Sequence, residues 1–481
     1  MELFIHFLST VVFPVFIILL AVVILLEQRD PTKTVAWLMV LLFLPFLGFI
    51  LYMIFGESWR KNRWIKEKEL IDYTVLEGLI EKHMDAILDN DMVNYVLGSK
   101  ERLMYLLVHS ADAPLTINNR LTVLKDASEK YPELFKMIDE AEHHIHLEYY
   151  IIRDDWVGNE LVDRLIKKAK EGVEVRLLYD GVGSARFGRN NRKKLRKAGV
   201  NAQVFLPVWF PFLNSKLNYR DHRKIVVVDG KKALVGGINI GKEYLGLDKR
   251  FGYWRDTHLK IEGDGVYSLQ LIFLLDWYFV ARENIDFIKY FPKQETYPEN
   301  NYIQIAASGP DSEWESIHKV YFSIISTAED SLYITSPYFI PDESILMALK
   351  TAGLSGVDTR LLIPAVPDYK IVYWASHSYL REIMEAGVRV YLYEKGFIHS
   401  KVIISDGMIA SVGTANMDLR SFHHNFEANA FVYDRDVVED IEAQFFEDLE
   451  HSRELILEDY IQKALHVRLR ESVARLLSPL L

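Results

Sequence analysis

The chain has 481 residues, room for about three domains at ~150 residues each, and 67 acidic against 56 basic side chains leave it a net charge of −11. That charge argues against a protein that coats nucleic acid through an overall positive field, although a local basic groove stays open, and with half of its residues hydrophobic the chain is not disordered. It has no cysteine, which excludes disulfides, thiol nucleophiles, zinc ribbons and iron–sulfur clusters.

Leu3–Leu26 is a 24-residue run without charge, and after a short polar stretch Val35–Phe55 is a second of 21 residues. At ~1.5 Å per residue each is long enough for a hydrocarbon core of ~30 Å. The start Met1-Glu2 and the length of the first run argue against a cleaved signal peptide, and neither run keeps a polar stripe. Residues 1–58 are expected to form a membrane hairpin of two transmembrane helices, with Pro14 and Pro45 leaving shallow insertion open. The connecting loop carries Arg29 and Lys33, whereas Arg60, Lys61, Arg63, Lys66 and Lys68 follow the second run, beside Trp59 and Trp64. The loop should then face outward and the rest of the chain the cytoplasm.

Residues 59–120 read as a juxtamembrane linker, and beyond it the chain repeats itself. Gly172-Val-Glu-Val-Arg-Leu-Leu178 recurs as Gly356-Val-Asp-Thr-Arg-Leu-Leu362, Ala198-Gly199-Val200 as Ala386-Gly387-Val388, and Ala141-Glu142 with the apolar Ile145–Ile152 as Ala328-Glu329 with Leu332–Ile340. Leu134–Ala141 and Glu160–Glu171 have helical spacing, while Val173–Tyr179 and Ala202–Leu206 read as strands. The fold class is therefore α/β: two duplicated lobes, 121–295 and 296–450, each a sheet flanked by helices and related by a pseudo-twofold, with the boundary near Pro292–Asn300.

The last shared segment carries chemistry. It reads Asp221-His222-Arg223-Lys224-Ile-Val-Val-Val-Asp229-Gly230 in copy one and Ile398-His399-Ser400-Lys401-Val-Ile-Ile-Ser-Asp406-Gly407 in copy two. Both fit His-x-Lys-x4-Asp, with Asn239 and Asn416 each 17 residues after the histidine. On a strand, His222 and Lys224 share a face, as do His399 and Lys401, whereas Asp229 and Asp406 have the opposite parity and suit an orienting role at the turn. Asp-Gly is a hairpin signal, so a returning strand should bring Asn239 beside His222 and Asn416 beside His399. Two lysines and two asparagines suit the oxygens of one phosphate. One imidazole can attack phosphorus while the other protonates the leaving alkoxide and then deprotonates the incoming alcohol. Asp256 and Glu427, 34 and 28 residues after their respective histidines, are the carboxylates that could fix tautomer and charge. No carboxylate cluster offers a divalent metal a site, and the scheme needs neither metal nor cofactor. The histidines His143, His144 and His146 read as satisfied core residues.

These duplicated segments resemble those of the phospholipase D superfamily, and over essentially its full length the chain is similar to the bacterial cardiolipin synthases. The similarity is carried by Asp30-Pro31-Thr32-Lys33-Thr34-Val35-Ala36-Trp37, Leu44-Pro45-Phe46-Leu47-Gly48, Arg220–Lys224, Thr335-Ser336-Pro337-Tyr338-Phe339-Ile340-Pro341 and the ending Ala474–Leu481. The resemblance implies transfer of a phosphatidyl group from one phosphatidylglycerol to another through a phosphohistidine, giving cardiolipin and glycerol. It implies His222, Lys224, Asp229, His399, Lys401 and Asp406 as catalytic residues, with Asn239, Asn416, Asp256 and Glu427 around the substrate. The family's usual assignment makes His222 the nucleophile and His399 the acid and base, but the two copies are too alike for the sequence to say which is which. It further implies phosphatidylglycerol, cardiolipin and the lipid bilayer as partners, no nucleic acid, and the cytoplasmic membrane of a bacterium. A phosphatidyltransferase or hydrolase using another acceptor, such as serine or water, is the alternative. Gly413-Thr414 and Gly236-Gly237 stand where the superfamily often has a serine in second place, which puts a hydroxyl contact in question.

Three further stretches have two readings each. The Trp- and Phe-rich loop Pro207–Leu213 suits either lipid contact or ordinary loop packing, and the basic run Arg189–Lys197 either a solvated helix face or a site for anionic headgroups. In the C-terminal amphipathic segment 451–481, Leu465, Leu469, Val473, Leu476 and Leu480 form an apolar stripe among Arg468, Arg470 and Arg475. Docking of that stripe on the protein's own core is the commoner fate, and lying on a membrane the other.

Overall fold

The described parts of the apolar N-terminal runs are helical, but the second run is not one straight rod. In the computed structural model, which describes residues 10, 13–26, 31–55, 68, 101–207, 218–283, 285–312 and 315–480, these runs hold α1 (Phe13–Leu26), α2 (Pro31–Phe43) and α3 (Pro45–Phe55). Pro45 has no N–H to continue a helix and disfavours helical geometry at Leu44, so the run breaks there. The chain then folds back: Trp37 and Tyr52 meet edge to face with ring centroids 5.2 Å apart, and a Cβ on Gly48 would lie 2.7 Å from the Val40 carbonyl oxygen. The expected second span is thus a helical hairpin, and among the described residues no helix is long and apolar enough to cross a membrane. The start of the first run, Trp59, Trp64 and the loop 208–213 lie outside the described residues.

The chain divides into two units, residues 1–66 with 208–218 and the remainder. In the larger unit the first lobe contains β1 (Asn119–Leu124), α5 (Ala127–Glu140), β2 (His144–Tyr149), α6 (Trp156–Lys170), β3 (Glu174–Asp180), α7 (Arg189–Lys197), β4 (Asn201–Phe205), β5 (Lys224–Val228), β6 (Lys232–Gly236), β7 (Tyr253–Arg255), β8 (His258–Gly263) and α8 (Gly265–Ala281), preceded by α4 (Glu101–Ala111). The second contains β9 (Ile303–Ser308), α9 (Ser316–Ser326), β10 (Ser331–Thr335), β11 (Phe339–Ile340), α10 (Glu343–Leu354), β12 (Asp358–Pro364), α11 (Lys370–Glu385), β13 (Arg389–Tyr393), β14 (Gly396–Ile398), β15 (Val402–Ser405), β16 (Ile409–Gly413), β17 (Met417–Asp418), β18 (Glu427–Val432), α12 (Arg435–Glu450) and β19 (Ser452–Glu454), followed by α13 (Leu465–Leu476). Carboxylates fix several helix starts: Asp126, Asp155, Asp342 and Asp434 accept from backbone N–H groups in the first turns of α5, α6, α10 and α12.

The first sheet has the order β1-β8-β6-β5-β2-β3-β4 and the second β19-β13-β12-β10-β15-β16-β18-β9. In each, parallel strands (β2-β3-β4, β10-β12-β13) meet an antiparallel hairpin (β5-β6, β15-β16). Helices α5 and α6 cover the outer face of the first sheet, and α9, α10 and α11 that of the second. The inner faces meet in a core that both lobes share. Along β5, Val226 and Val228 enter the outer core while Ile225 and Val227 enter the shared one, the two-residue period of a strand buried on both faces.

Three expectations change at the edges of this body. Helix α4, in the supposed linker, sinks Leu103, Met104 and Leu107 into the core of the second lobe. Lys68, counted above among the cations flanking the membrane, is buried, 3.1 Å from Asp276 and 2.7 Å from Asp311. Helix α7 bears the basic run and buries Asn191 and Leu195. The C-terminal stripe departs from its commoner reading: α13 turns Glu471 and Ala474 to the protein and leaves Leu465, Leu469, Val473 and Leu476 in the open.

Candidate active site

Each lobe builds its half of the site on the β5-β6 or β15-β16 hairpin. The turns are Asp229-Gly230 and Asp406-Gly407, and all four residues have positive φ, between 54° and 64°. Glycine and aspartate tolerate that region better than most residues, which is why Asp-Gly reverses the chain here. Register follows: Ile225 faces Val235 and Val402 faces Val412, so the return strands run back toward the histidines.

The motif aspartates are turn anchors and not part of the reacting centre. Asp229 accepts from the backbone N–H groups of Glu142, His143 and His144 at 2.7–2.9 Å, and Asp406 from those of Glu329, Asp330 and Ser331 at 2.8–3.2 Å. Seven residues of strand from the histidine is roughly 23 Å, which corrects their grouping with the catalytic set. The parity argument anticipated the role; only the family pattern drew them in.

The histidines are held by the opposite lobe. Strand β14, ending just before His399, pairs in parallel with β7, Ile398 facing Arg255, and the His399 N–H donates to the Arg255 carbonyl at 2.7 Å. In mirror fashion Asp221 bridges Phe426, and the His222 N–H donates to the Phe426 carbonyl at 2.9 Å. The residue after each acceptor is a carboxylate. Asp256 therefore lies 2.8 Å from His399 Nδ1, and Glu427 2.9 Å and 3.0 Å from His222 Nδ1. Spacing along the chain had attached each carboxylate to the histidine of its own copy. The structure crosses them, and their place is on the imidazoles. With both Nδ1 atoms engaged, neither Nε2 has a hydrogen-bond partner among the described residues.

The lysines converge on the same place. Lys224 Nζ donates to the His222 carbonyl and Lys401 Nζ to the His399 carbonyl, each at 2.5 Å, and Lys401 Nζ is also 3.0 Å from His399 Nδ1. Burial lowers all four cationic groups even though the carboxylates Glu427 and Asp256 pull them up: His222 to about 4, His399 to about 3, Lys224 to about 7 and Lys401 to about 8. Burial pushes Glu427 up, yet His222, Lys224 and the Thr414 hydroxyl together hold it below the usual carboxylate range. An anion entering between the imidazoles relieves this crowding, because it favours every protonated form at once.

Asn239 and Asn416 are buried, with different tasks. Asn239 Oδ1 accepts from the Ile151 N–H at 3.0 Å, whereas Asn416 Oδ1 has no hydrogen-bond partner among the described residues. Thr414 is engaged with the backbone of Ala428, donating to its carbonyl and accepting from its N–H at 2.9 Å, and a Cβ on Gly237 would lie 2.2 Å from Asp256 Oδ1. Among the described residues no group of three or more histidines and carboxylates is arranged to hold a metal ion.

Several residues escaped the sequence reading. Tyr150 stands 5.1 Å from His222 and Tyr338 6.5 Å from His399, ring centroid to centroid. Their repeat offset of 188 was a usable signal. Arg223, at the variable place of the motif, donates to the Glu427 carbonyl at 3.1 Å and to Asp276, the carboxylate that also takes Lys68. Lys130, fully buried, donates to the Tyr149 hydroxyl at 2.8 Å. No spacing rule marks either.

With this geometry in place, likeness to known proteins can be weighed. A family model described as "Cardiolipin synthase, PLD-like domain" matches residues 134–251 and 321–449, and one described as "Phospholipase_D-nuclease N-terminal" matches 15–57. A cardiolipin synthase of Halalkalibacterium halodurans is 47% identical over 474 residues, 98% of this chain and 93% of that one. The major cardiolipin synthase ClsA of Bacillus subtilis is 44% identical, covering 97% of each. Among solved structures, a phosphatidylserine synthase of Haemophilus influenzae superposes with a TM-score of 0.62 over 79% of this chain and all of its own, at 14% identity, a likeness of fold.

Proposed function

Because the chain belongs to the cardiolipin synthase family of the phospholipase D superfamily, and is thus a phosphatidyltransferase, we propose that its crossed histidine–carboxylate pairs join two phosphatidylglycerol molecules into cardiolipin and glycerol. The observation that carries this reading is the pair of imidazoles, each held at Nδ1 by a carboxylate of the other lobe and each with Nε2 unclaimed among the described residues.

A carboxylate on Nδ1 favours the tautomer with its proton there, so Nε2 of His222 presents a lone pair. His222 Nε2 attacks phosphorus of the first phosphatidylglycerol. As the bond to glycerol oxygen breaks, His399 donates its Nε2 proton to that oxygen, and glycerol leaves. His399, now neutral, takes the proton from a hydroxyl of the second phosphatidylglycerol; that oxygen attacks phosphorus and the bond to His222 breaks. Before reaction Lys224 and Lys401 balance Asp256 and Glu427, so the one negative charge of the phosphodiester is what keeps His399 protonated against its burial. Both lysines then stabilise charge on the equatorial oxygens. Asn416, with its unpartnered Oδ1, suits the acceptor hydroxyl.

The substrate places the enzyme at a bilayer. The apolar N-terminal unit supports anchoring, and Arg60, Lys61, Arg63 and Lys66 support the cytoplasmic face, with the α2–α3 hairpin favouring insertion from one side. The test is product analysis: purified enzyme in mild detergent with labelled phosphatidylglycerol and EDTA should release cardiolipin and glycerol one for one, and His222→Ala and His399→Ala should abolish both. Phosphatidic acid as the product would overturn the choice of acceptor.

A further inference from the structure

Helix α13 shows its apolar side to the outside. At ~100° per residue Leu465, Leu469, Val473 and Leu476 fall within about 80° of one another, and they are 78%, 63%, 52% and 80% exposed. The face toward the protein carries Glu471 and Ala474 instead. That inner face is fastened to α11 by polar contacts, Arg475 to Glu382 at 2.5 Å and the Tyr379 hydroxyl to Ser478 at 3.1 Å, while Lys463, just before the helix, pairs with Glu471 at 2.7 Å. The orientation is therefore fixed, and the open stripe is not a helix waiting to dock.

Charge identifies the occupant. The chain is acidic overall, yet α13 carries Arg468, Arg470 and Arg475 against the single acid Glu471, which is turned inward and neutralised. Arg468 flanks the stripe on one side, and His466 and Arg470 on the other, the pattern of a helix lying in a lipid interface. Arg470 covers Trp374 and Arg475 covers Tyr379 on α11, so the two helices run in the same direction and Leu465 lies toward the start of α11. There Tyr369 is exposed, and the adjoining Asp368 accepts from the Tyr338 hydroxyl beside His399. Through Asp368 and Tyr338 the start of α11 is thus linked to His399.

We propose that α13 is a membrane-docking helix that lies on an anionic leaflet with Leu465, Leu469, Val473 and Leu476 between the lipids and Arg468 and Arg470 against their phosphates. This surface goes beyond the reaction assigned above and is independent of it. The chain has no cysteine, so Leu469→Cys gives a single attachment point for a fluorophore, with Leu354→Cys, exposed at the far end of α10, as reference. Both are made in full-length His399→Ala protein in phosphatidylglycerol-containing vesicles, so that lipid is not consumed whatever the reaction is. The label at 469 should be quenched severalfold more by lipid-borne nitroxide than by aqueous iodide, and the one at 354 the reverse. Arg468→Gln with Arg470→Gln should reduce the lipid quenching at 469 severalfold. Iodide quenching at 469 equal to that at 354 overturns the proposal. So does shielding from both quenchers, which would mean a protein partner or second copy, and so does indifference to the loss of both arginines.

Discussion

The two lobes supply the same half-site, but their histidine–carboxylate pairs are not copies of each other. The first lobe gives the shorter Asp256, met by Gly237, where a Cβ would stand 2.2 Å from the carboxylate. The second gives the longer Glu427, met at the equivalent place by Thr414 and also by the Asn425 amide at 3.2 Å. On the imidazole side, Lys401 lies 3.0 Å from His399 Nδ1, whereas Lys224 donates to the His222 carbonyl. His222 is therefore braced by a carboxylate with its own supports, and His399 shares its Nδ1 with a cation that opposes its protonation. The duplication kept the geometry and adjusted the chemistry of each pair separately.

Removing the imidazoles tests that difference hardest. His222→Ala and His399→Ala should each lower turnover by about 10⁴-fold. With a donor whose leaving group needs no proton, His399→Ala should still form the covalent phosphatidyl-enzyme and His222→Ala should not. Labelled adduct retained by the wrong variant would exchange their roles.

The carboxylate supports should separate next. Gly237→Ala forces Asp256 aside and should cost about 10²-fold in kcat, while Thr414→Ala loses roughly one hydrogen bond, about 1 kcal/mol or five- to tenfold. Equal losses would mean that the two pairs are equivalent after all. The lysines set a milder effect: with Lys224 lowered to about 7 and Lys401 to about 8, kcat/KM should fall about tenfold per pH unit between those values and about a hundredfold per unit above both, as the two charges are lost in the free enzyme. A profile flat to pH 9.5 would sink this. The smallest contrast is an expected equality: Asp229→Asn and Asp406→Asn should each lower stability by about 2 kcal/mol in thermal melts and leave kcat unchanged.

The repeat, the hairpins at Asp-Gly and the histidine–lysine face were readable from the sequence because they rest on local rules: offset, turn chemistry and strand parity. The crossing of Asp256 to His399 and Glu427 to His222 was not, because it depends on how β7 meets β14 across the lobes, which no spacing encodes. Lys68 misled for the same reason. A cation between an apolar run and a domain looks interfacial until Asp276 and Asp311 are seen to claim it. On α13 the apolar period predicted the helix correctly, but periodicity says only that one side differs from the other, not which side the body takes.

The crossed pairing also bears on how such a chain can change over generations. A substitution that alters the first lobe's carboxylate is felt by the second lobe's histidine, so neither half can drift toward a new chemistry alone. Compensating changes should appear as partners far apart in sequence, such as Asp256 with His399, 143 positions apart, or His222 with Glu427, 205 positions apart. A lobe taken singly inherits a nucleophile without its orienting carboxylate; the hereditary unit of this activity is the pair.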